Sequence, residues 1–172
     1  MALMIMVMGL PGSGKSFFAR RLSDCLGATY IGSDELRKEM GLMGEYQLAF
    51  KQLVYDAMFE KAKEVIQNHG NAVLDSTFFL QEIRDKAKQL ADKYGAELIP
   101  ILVEAEESII GERLSQPRDD SEADFQVYQQ IKEAFEPIEG FYLSILSTND
   151  NIDKIISQAL RYIKTKNGKK GD

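Results

Sequence analysis

Cysteine and histidine each occur once in this chain of 172 residues. The single cysteine, Cys25, excludes an internal disulfide and fits a reducing compartment. Its place in the first expected helix reads as core rather than as nucleophile. His69 falls at a helix end and reads as a surface cap rather than a catalyst. Long apolar runs are absent, since none approaches the ~20 residues that a membrane span needs. The apolar N-terminus lacks the basic n-region of a secretory signal and leads into a glycine-rich turn instead of a cleavage site. These absences predict a cytoplasmic protein with no membrane attachment. Positive charge is in deficit: 21 basic against 27 acidic side chains give a formal net charge of −6. That argues against a broad nucleic-acid footprint, which needs clustered basic residues, but not against a nucleic-acid end held in a local pocket. Internal repeats are missing too. The length predicts one domain with a full core, over 1–164, followed by a basic, flexible tail over 165–172.

What the chain does have is the run Gly9-Leu10-Pro11-Gly12-Ser13-Gly14-Lys15-Ser16, followed by Phe17. It fits G-x-x-x-x-G-K-[ST], the phosphate-binding loop of nucleotide-using proteins. An apolar strand, residues 3–8, precedes it, and a helix beginning near Phe17 follows. In that setting successive backbone N–H groups form a concave anion site and the helix dipole adds positive potential. Lys15 is expected to reach the β- and γ-phosphates, and Ser16 to offer its hydroxyl to Mg²⁺. The motif predicts a nucleoside triphosphate site.

The remaining pattern alternates strands and helices. The first helix ends near Leu26 with Gly27 as its cap, and residues 28–31 form a second strand. Ser33 reads as an N-cap with Asp34 and Glu35 in the first helical turn. Helical spacing over 45–68 closes at Gly70. Residues 72–74 form a third strand ending at Asp75, and Ile83, Ala87, Leu90 and Tyr94 mark a helix capped by Gly95. Residues 98–103 form a fourth strand in which Pro100 is awkward, because proline cannot donate to a ladder. A helix over 106–114 ends before Pro117. Residues 121–124 resemble an N-cap for a helix carrying Phe125, Tyr128, Ile131 and Phe135. A fifth strand over 143–146 and a helix from Asn151 to Ile163 complete the series. Such alternation predicts a parallel sheet covered on both faces, with ligands beyond the carboxyl ends of its strands. The phosphate loop, Asp34 and Asp75 all follow strand ends, so they are expected to converge on one cleft.

Phosphoryl transfer needs cradled phosphates, a metal, a positioned acceptor and positive charge around the transferred group. Asp75 sits where a carboxylate can hold Mg²⁺; a strand-end aspartate capping its own turn is the alternative. Asp34 and Arg37, three apart, share one helix face. Asp34 can accept a hydroxyl proton while Arg37 grips an anionic part of the acceptor, or both simply complement a helix dipole. Arg113 and Arg118 flank the break at Ser115-Gln116-Pro117, either as a lid over phosphates or as ordinary helix-end arginines. The face formed by Met40, Met43, Tyr46, Phe50, Tyr55, Met58 and Phe59 reads as core packing or as an acceptor wall. Residues 147–150, after the last strand, are where the adenine pocket is expected.

In order and spacing, residues 9–16, Gly32-Ser33-Asp34-Glu35-Leu36-Arg37-Lys38, residues 72–78 and Glu112-Arg113-Leu114 through Arg118 resemble the P-loop predicted-kinase family of bacteria and archaea. That family is related to the 5′-hydroxyl polynucleotide kinases and the zeta-toxin-type kinases. The likeness spans residues 4 to 136. It implies an α/β, three-layer, adenylate-kinase-like fold: a five-stranded parallel sheet of order 2-3-1-4-5 with a small arginine-bearing lid over about 115–122. It implies ATP and Mg²⁺ as cofactors, with Asp34 as general base, Arg37 as acceptor ligand, and Arg113 and Arg118 as lid arginines on the ATP phosphates. The implied activity is transfer of the γ-phosphoryl group to a hydroxyl of a small-molecule acceptor. Polynucleotide-end kinases commonly carry asparagine where this chain has Phe78, which counts against a nucleic-acid 5′ end as acceptor. An ATP-dependent switch is the reading from another class; the absence of an Asn-Lys-x-Asp base-reading motif speaks against a guanine switch.

Overall fold

The computed structural model describes residues 1–117 and 124–168. Strand β1 (Leu3–Met8) is buried at all six positions, because it lies at the centre of the sheet with both faces covered. Side chains alternate across a strand, so β1 feeds two cores. Met4, Met6 and Met8 pack on one face with Val54, Met58, Ala62 and Ala87. Leu3, Ile5 and Val7 pack on the other with Phe18, Leu22, Ile155 and Ala159.

Helix α1 (Lys15–Leu26) ends on Gly27 at φ 58°, followed by β2 (Thr29–Gly32), α2 (Ser33–Glu39) and α3 (Leu48–Gln67). Then come β3 (Ala72–Asp75), α4 (Gln81–Lys93), β4 (Glu97–Glu104), α5 (Glu107–Leu114), α6 (Phe125–Ala134), β5 (Leu143–Leu146) and α7 (Ile152–Gly168). The sheet order is β2-β3-β1-β4-β5, parallel throughout, as the alternation and the resemblance implied. Pro100 lies inside β4 opposite Met6, one residue before pairing with β5 begins at Ile101. The proline therefore occupies a stretch where β4 has no β5 neighbour, the sheet-edge solution.

Several local expectations need correction. Ser33 is the first residue of α2, and the cap position belongs to Gly32 with no side-chain cap. The α3 helix starts at Leu48 rather than near Glu45. At its other end the left-handed residue is His69, φ 61°, not Gly70. The N–H groups of His69 and Gly70 donate to the Ile66 and Val65 carbonyls, a Schellman closure built on a histidine. Cys25 is exposed, because it sits at the rim of the α1 face buried through Phe18, Ala19, Leu22 and Ser23. The cap expected within 121–124 is Asp124, which accepts from the Val127 N–H at 2.9 Å. Helix α7 runs five residues beyond Ile163, into the stretch expected to be tail. Ser121 and residues 169–172 lie outside the described residues.

Arg84, for which the sequence suggested no role, ties two loops together. It is buried, and its guanidinium donates to the carbonyls of Phe78 (2.8 Å), Glu136 (2.9 Å) and Pro137 (2.9 Å) and to the Gln81 Oε1 (2.9 Å). The Glu136 N–H donates to the Phe79 carbonyl, and its carboxylate accepts from the Gln81 N–H. The loop after β3 and the chain leaving α6 are thereby zipped into one unit. Arg84→Met keeps the volume but strands three carbonyl acceptors, and is expected to cost about 3–5 kcal/mol of stability in urea unfolding. Arg84→Lys, which keeps a charge but not the fork, is expected to recover only part of it.

Candidate active site

The loop after β1 works by close approach. Gly9 has φ 156°, and a Cβ there would stand 2.5 Å from the Val103 carbonyl oxygen, so only glycine fits. Gly14, φ 87°, caps α1; a Cβ on it would meet the Ser147 hydroxyl at 2.7 Å and the Arg113 guanidinium at 3.0 Å. The Ser13 N–H closes a turn on the Leu10 carbonyl at 3.1 Å. The chain thus delivers the first N–H groups of α1, which have no intrahelical acceptor, to the surface of a cleft.

That cleft, about 540 Å³, is lined among others by Lys15, Ser16, Phe17, Arg113, Thr148 and Asn149, a volume typical of small-molecule sites. Phe17 projects exposed at its edge. Arg113, from the last turn of α5, donates to the Gly12 carbonyl (3.2 Å), the Ser147 hydroxyl (3.2 Å) and the Asn149 Oδ1 (3.3 Å). It therefore bridges the phosphate loop to the β5–α7 loop, the stretch expected to hold the base. Arg118, its expected companion, and most of the expected lid lie outside the described residues.

A second, narrower cleft adjoins the first, and Pro11, Lys15 and Asp34 line both. Its other walls include Arg37, Tyr46, Lys51, Tyr55, Thr77 and Phe79. Arg37 is 7 % exposed. Its Nη1 donates to the Asp34 Oδ1 at 3.0 Å, and its guanidinium lies 4.8 Å from the Tyr46 ring centroid. The Arg37 Nε is buried without a hydrogen-bond acceptor. The methionine-aromatic face divides: Tyr46 and Tyr55 reach the cleft, Met58 enters the core, and Met40 and Met43 are exposed.

The floor of this cleft is set by a strained turn. Phe78 is fully buried in the left-handed region, φ 48°, which costs a bulky residue free energy. Tyr55 holds it there: its hydroxyl accepts from the Phe78 N–H (3.1 Å) and the Ser76 hydroxyl (2.9 Å). Burial pushes the Tyr55 pKa up. The turn aims Ser76, Thr77 and Phe79 at the cleft and Phe78 away from it. The position where polynucleotide-end kinases carry asparagine is here a core residue.

Asp75 is placed differently from Asp34. It is buried, lines neither cleft, and accepts at Oδ2 from the Tyr30 hydroxyl at 2.6 Å. Its Oδ1 is buried without a partner. An orphaned carboxylate oxygen and the Ser16 hydroxyl are the hard oxygen donors that Mg²⁺ prefers, and Mg²⁺ commonly takes only one or two carboxylates beside substrate phosphates. The residues present fit that ion. Tyr30 itself was not singled out by the sequence. No local signal marked it; in the fold a Cβ on Gly32 would lie 2.5 Å from the Tyr30 hydroxyl.

Comparisons with known proteins bear on the family and the fold. A family model described as an AAA domain matches residues 4–138, and the chain belongs to that family. An uncharacterised protein of Mycobacterium tuberculosis is 26% identical over 121 residues, which cover 63% of this chain and 24% of that protein. A cytidylate kinase of Aeropyrum pernix is 33% identical over 91 residues, 49% of this chain and 53% of that enzyme. The chain thus spans about a quarter and about half of these two relatives. Among solved structures, a Sinorhizobium meliloti gluconokinase superposes with TM-score 0.70 at 20% identity, covering 92% of this chain and 90% of that one. The Mycobacterium tuberculosis APS kinase CysC, in complex with AMPPNP and APS, gives TM-score 0.70 at 15% identity, covering 95% and 98%. The fold is that of the P-loop kinases. Among the described residues no helix is long and apolar enough to cross a membrane.

Burial first, and the Asp75 carboxylate second, push the Tyr30 pKa well above its usual 10.0. A raised pKa means that the neutral phenol is favoured in the fold. Its contribution to stability is complete below pH 10 and is lost as pH rises above it. Tyr30→Phe is therefore expected to flatten the fall of stability above pH 10, measured by urea unfolding across pH 8–11.

Proposed function

We propose that the protein is an ATP-dependent kinase that transfers the γ-phosphoryl group to a hydroxyl of a small-molecule acceptor bearing an anionic group. The single observation behind this reading is that Lys15 and Asp34 line both adjoining clefts, so one boundary joins a nucleotide-sized site to an acidic, cation-walled one. In this reading the N–H groups and side chains of residues 9–17 hold the triphosphate in the larger cleft. Asp34 accepts the acceptor's hydroxyl proton as that oxygen bonds to the γ-phosphorus, and the bond from phosphorus to the β–γ bridging oxygen breaks to release ADP. Lys15 and Arg113 face the charge that develops on the transferred group. Arg118 is the second arginine assigned there. Ser16 and Asp75 would hold Mg²⁺, which neutralises β- and γ-phosphate oxygens when bound. Arg37, already beside Asp34, grips the acceptor's anionic part and sets the hydroxyl near its base.

Three of the proteins that the chain resembles, named for cytidylate, gluconate and APS, support an anionic acceptor, since all three compounds carry negative charge. The exposed Cys25 and the surface His69 have no part in the reaction.

Two measurements test this reading. The first incubates γ-labelled ATP and Mg²⁺ with sugars, sugar acids, nucleosides and 5′-hydroxyl oligonucleotides. Label is expected in a small anionic alcohol; label in oligonucleotide alone favours the polynucleotide reading, and label in free phosphate alone favours a switch. The second is Asp34→Asn, expected to slow transfer by about 10²–10⁴-fold while ATP analogue binding by calorimetry survives. Unchanged transfer would sink the base assignment.

A further inference from the structure

Among the described residues three cations, Lys15, Arg37 and Lys51, line the acceptor cleft against the one carboxylate of Asp34. Lys51, Val54 and Tyr55 lie three and four apart on α3, one face of the helix, and all three line the cleft. Lys51 is half-buried, with its ammonium 4.9 Å from the centroid of the Phe79 ring. Among the described residues it makes no ion pair with a carboxylate, whereas Arg37 pairs with Asp34. Burial first, then the charge of Arg37, hold the Lys51 pKa below its usual value. Arg37 in turn keeps its Nε buried with no acceptor. Two like charges near each other, partly desolvated, with one buried N–H donor unused, cost free energy that an oxyanion would recover. The need grows during transfer, because Asp34 loses its negative charge on taking the proton.

We propose that Lys51 is the specificity-determining residue of this cleft, forming with the Nε side of Arg37 a two-cation seat for an oxyanion (carboxylate, sulfate or phosphate) carried by the acceptor. The Phe79 face holds the ammonium in place through a cation–π contact. An alcohol lacking the oxyanion leaves Lys51 without a counter-charge and the Arg37 Nε without an acceptor, so it is rejected by unmet charge rather than by shape. The acceptor's identity rests on the kinase reading above; the seat itself does not.

Two assays separate the failure of one from the failure of the other. With the larger cleft filled by Mg²⁺ and a non-hydrolysable ATP analogue, titration calorimetry with inorganic sulfate, phosphate and acetate should show binding. Lys51→Met should weaken it at least about tenfold, the scale of one charge-assisted hydrogen bond, and Lys51→Arg should retain most of it. Equal binding by Lys51→Met, checked for native folding by circular dichroism, overturns the seat whether or not any transfer occurs. The second assay compares kcat/KM for matched acceptors, glucose against gluconate and glucose 6-phosphate, ribose against ribose 5-phosphate. The preference for the charged member should fall at least tenfold in Lys51→Met, mainly through KM, and return in Lys51→Arg. The preferred pair identifies carboxylate or phosphate as the anion. A preference untouched by Lys51→Met, or a neutral sugar outperforming its charged partner in the wild type, overturns the proposal.

Discussion

Everything at the site depends on burying one short strand from both sides. With β1 hydrogen-bonded to β3 and β4 and covered by helices on each face, its carboxyl end emerges at the middle of the sheet edge. In such sheets that edge is where loops diverge and ligands enter. The chain leaving Met8 must turn sharply against its neighbour, which is why a Cβ at Gly9 would strike the Val103 carbonyl. The phosphate loop is thus held by backbone packing before any ligand arrives. Its glycines mark close approach to protein: a Cβ on Gly12 would press on Ile110 and Leu114, and one on Gly14 on Ser147 and Arg113.

The fold was legible in the sequence because its signals are local. Apolar runs of four to eight residues between amphipathic helices predict a parallel sheet, and residues 143–146 were placed with their observed boundaries. The errors lie where two residues compete for one local role. Ser33 has the better cap chemistry, yet β2 carries one residue further and leaves the cap to Gly32. Gly70 is the better left-handed residue, but the helix closes one position earlier on His69. Cys25 failed for another reason: burial at the end of a helix depends on what the sheet covers, which periodicity does not encode.

The site was legible only where a motif has fixed spacing. Residues 9–16 and the pair Asp34 and Arg37 announced themselves, and the structure brings them to adjoining clefts. Tyr30 and Lys51 did not, and Tyr55 showed only as one member of a face read as core or acceptor wall, because each acts across the fold. Tyr30 reaches Asp75 over 45 positions, Tyr55 reaches Phe78 over 23, and Lys51 meets Phe79 only when α3 packs beside the turn after β3. A tyrosine or lysine on an amphipathic helix carries no mark of which distant loop it will face.

The cleft proposed for the acceptor is consequently supported in two unlike ways. Its floor is rigid: the left-handed Phe78 is held by Tyr55 from one side and by Arg84 from the other, through the amide and the carbonyl of the same residue. Arg84 and Glu136 extend that rigidity to the end of α6, whose Val127 and Ile131 form the facing wall. Its charge, by contrast, is unbalanced, with Lys15, Arg37 and Lys51 set against one carboxylate among the described residues. Burial of Arg37 and the Phe79 ring beside Lys51 hold two of those cations at the cleft. Preorganisation of this kind turns a cost borne in folding into selectivity for a negatively charged ligand. In the proposed reading the buried, hydrogen-bonded scaffold and the unbalanced charges are therefore one design, since neither alone would discriminate among acceptors.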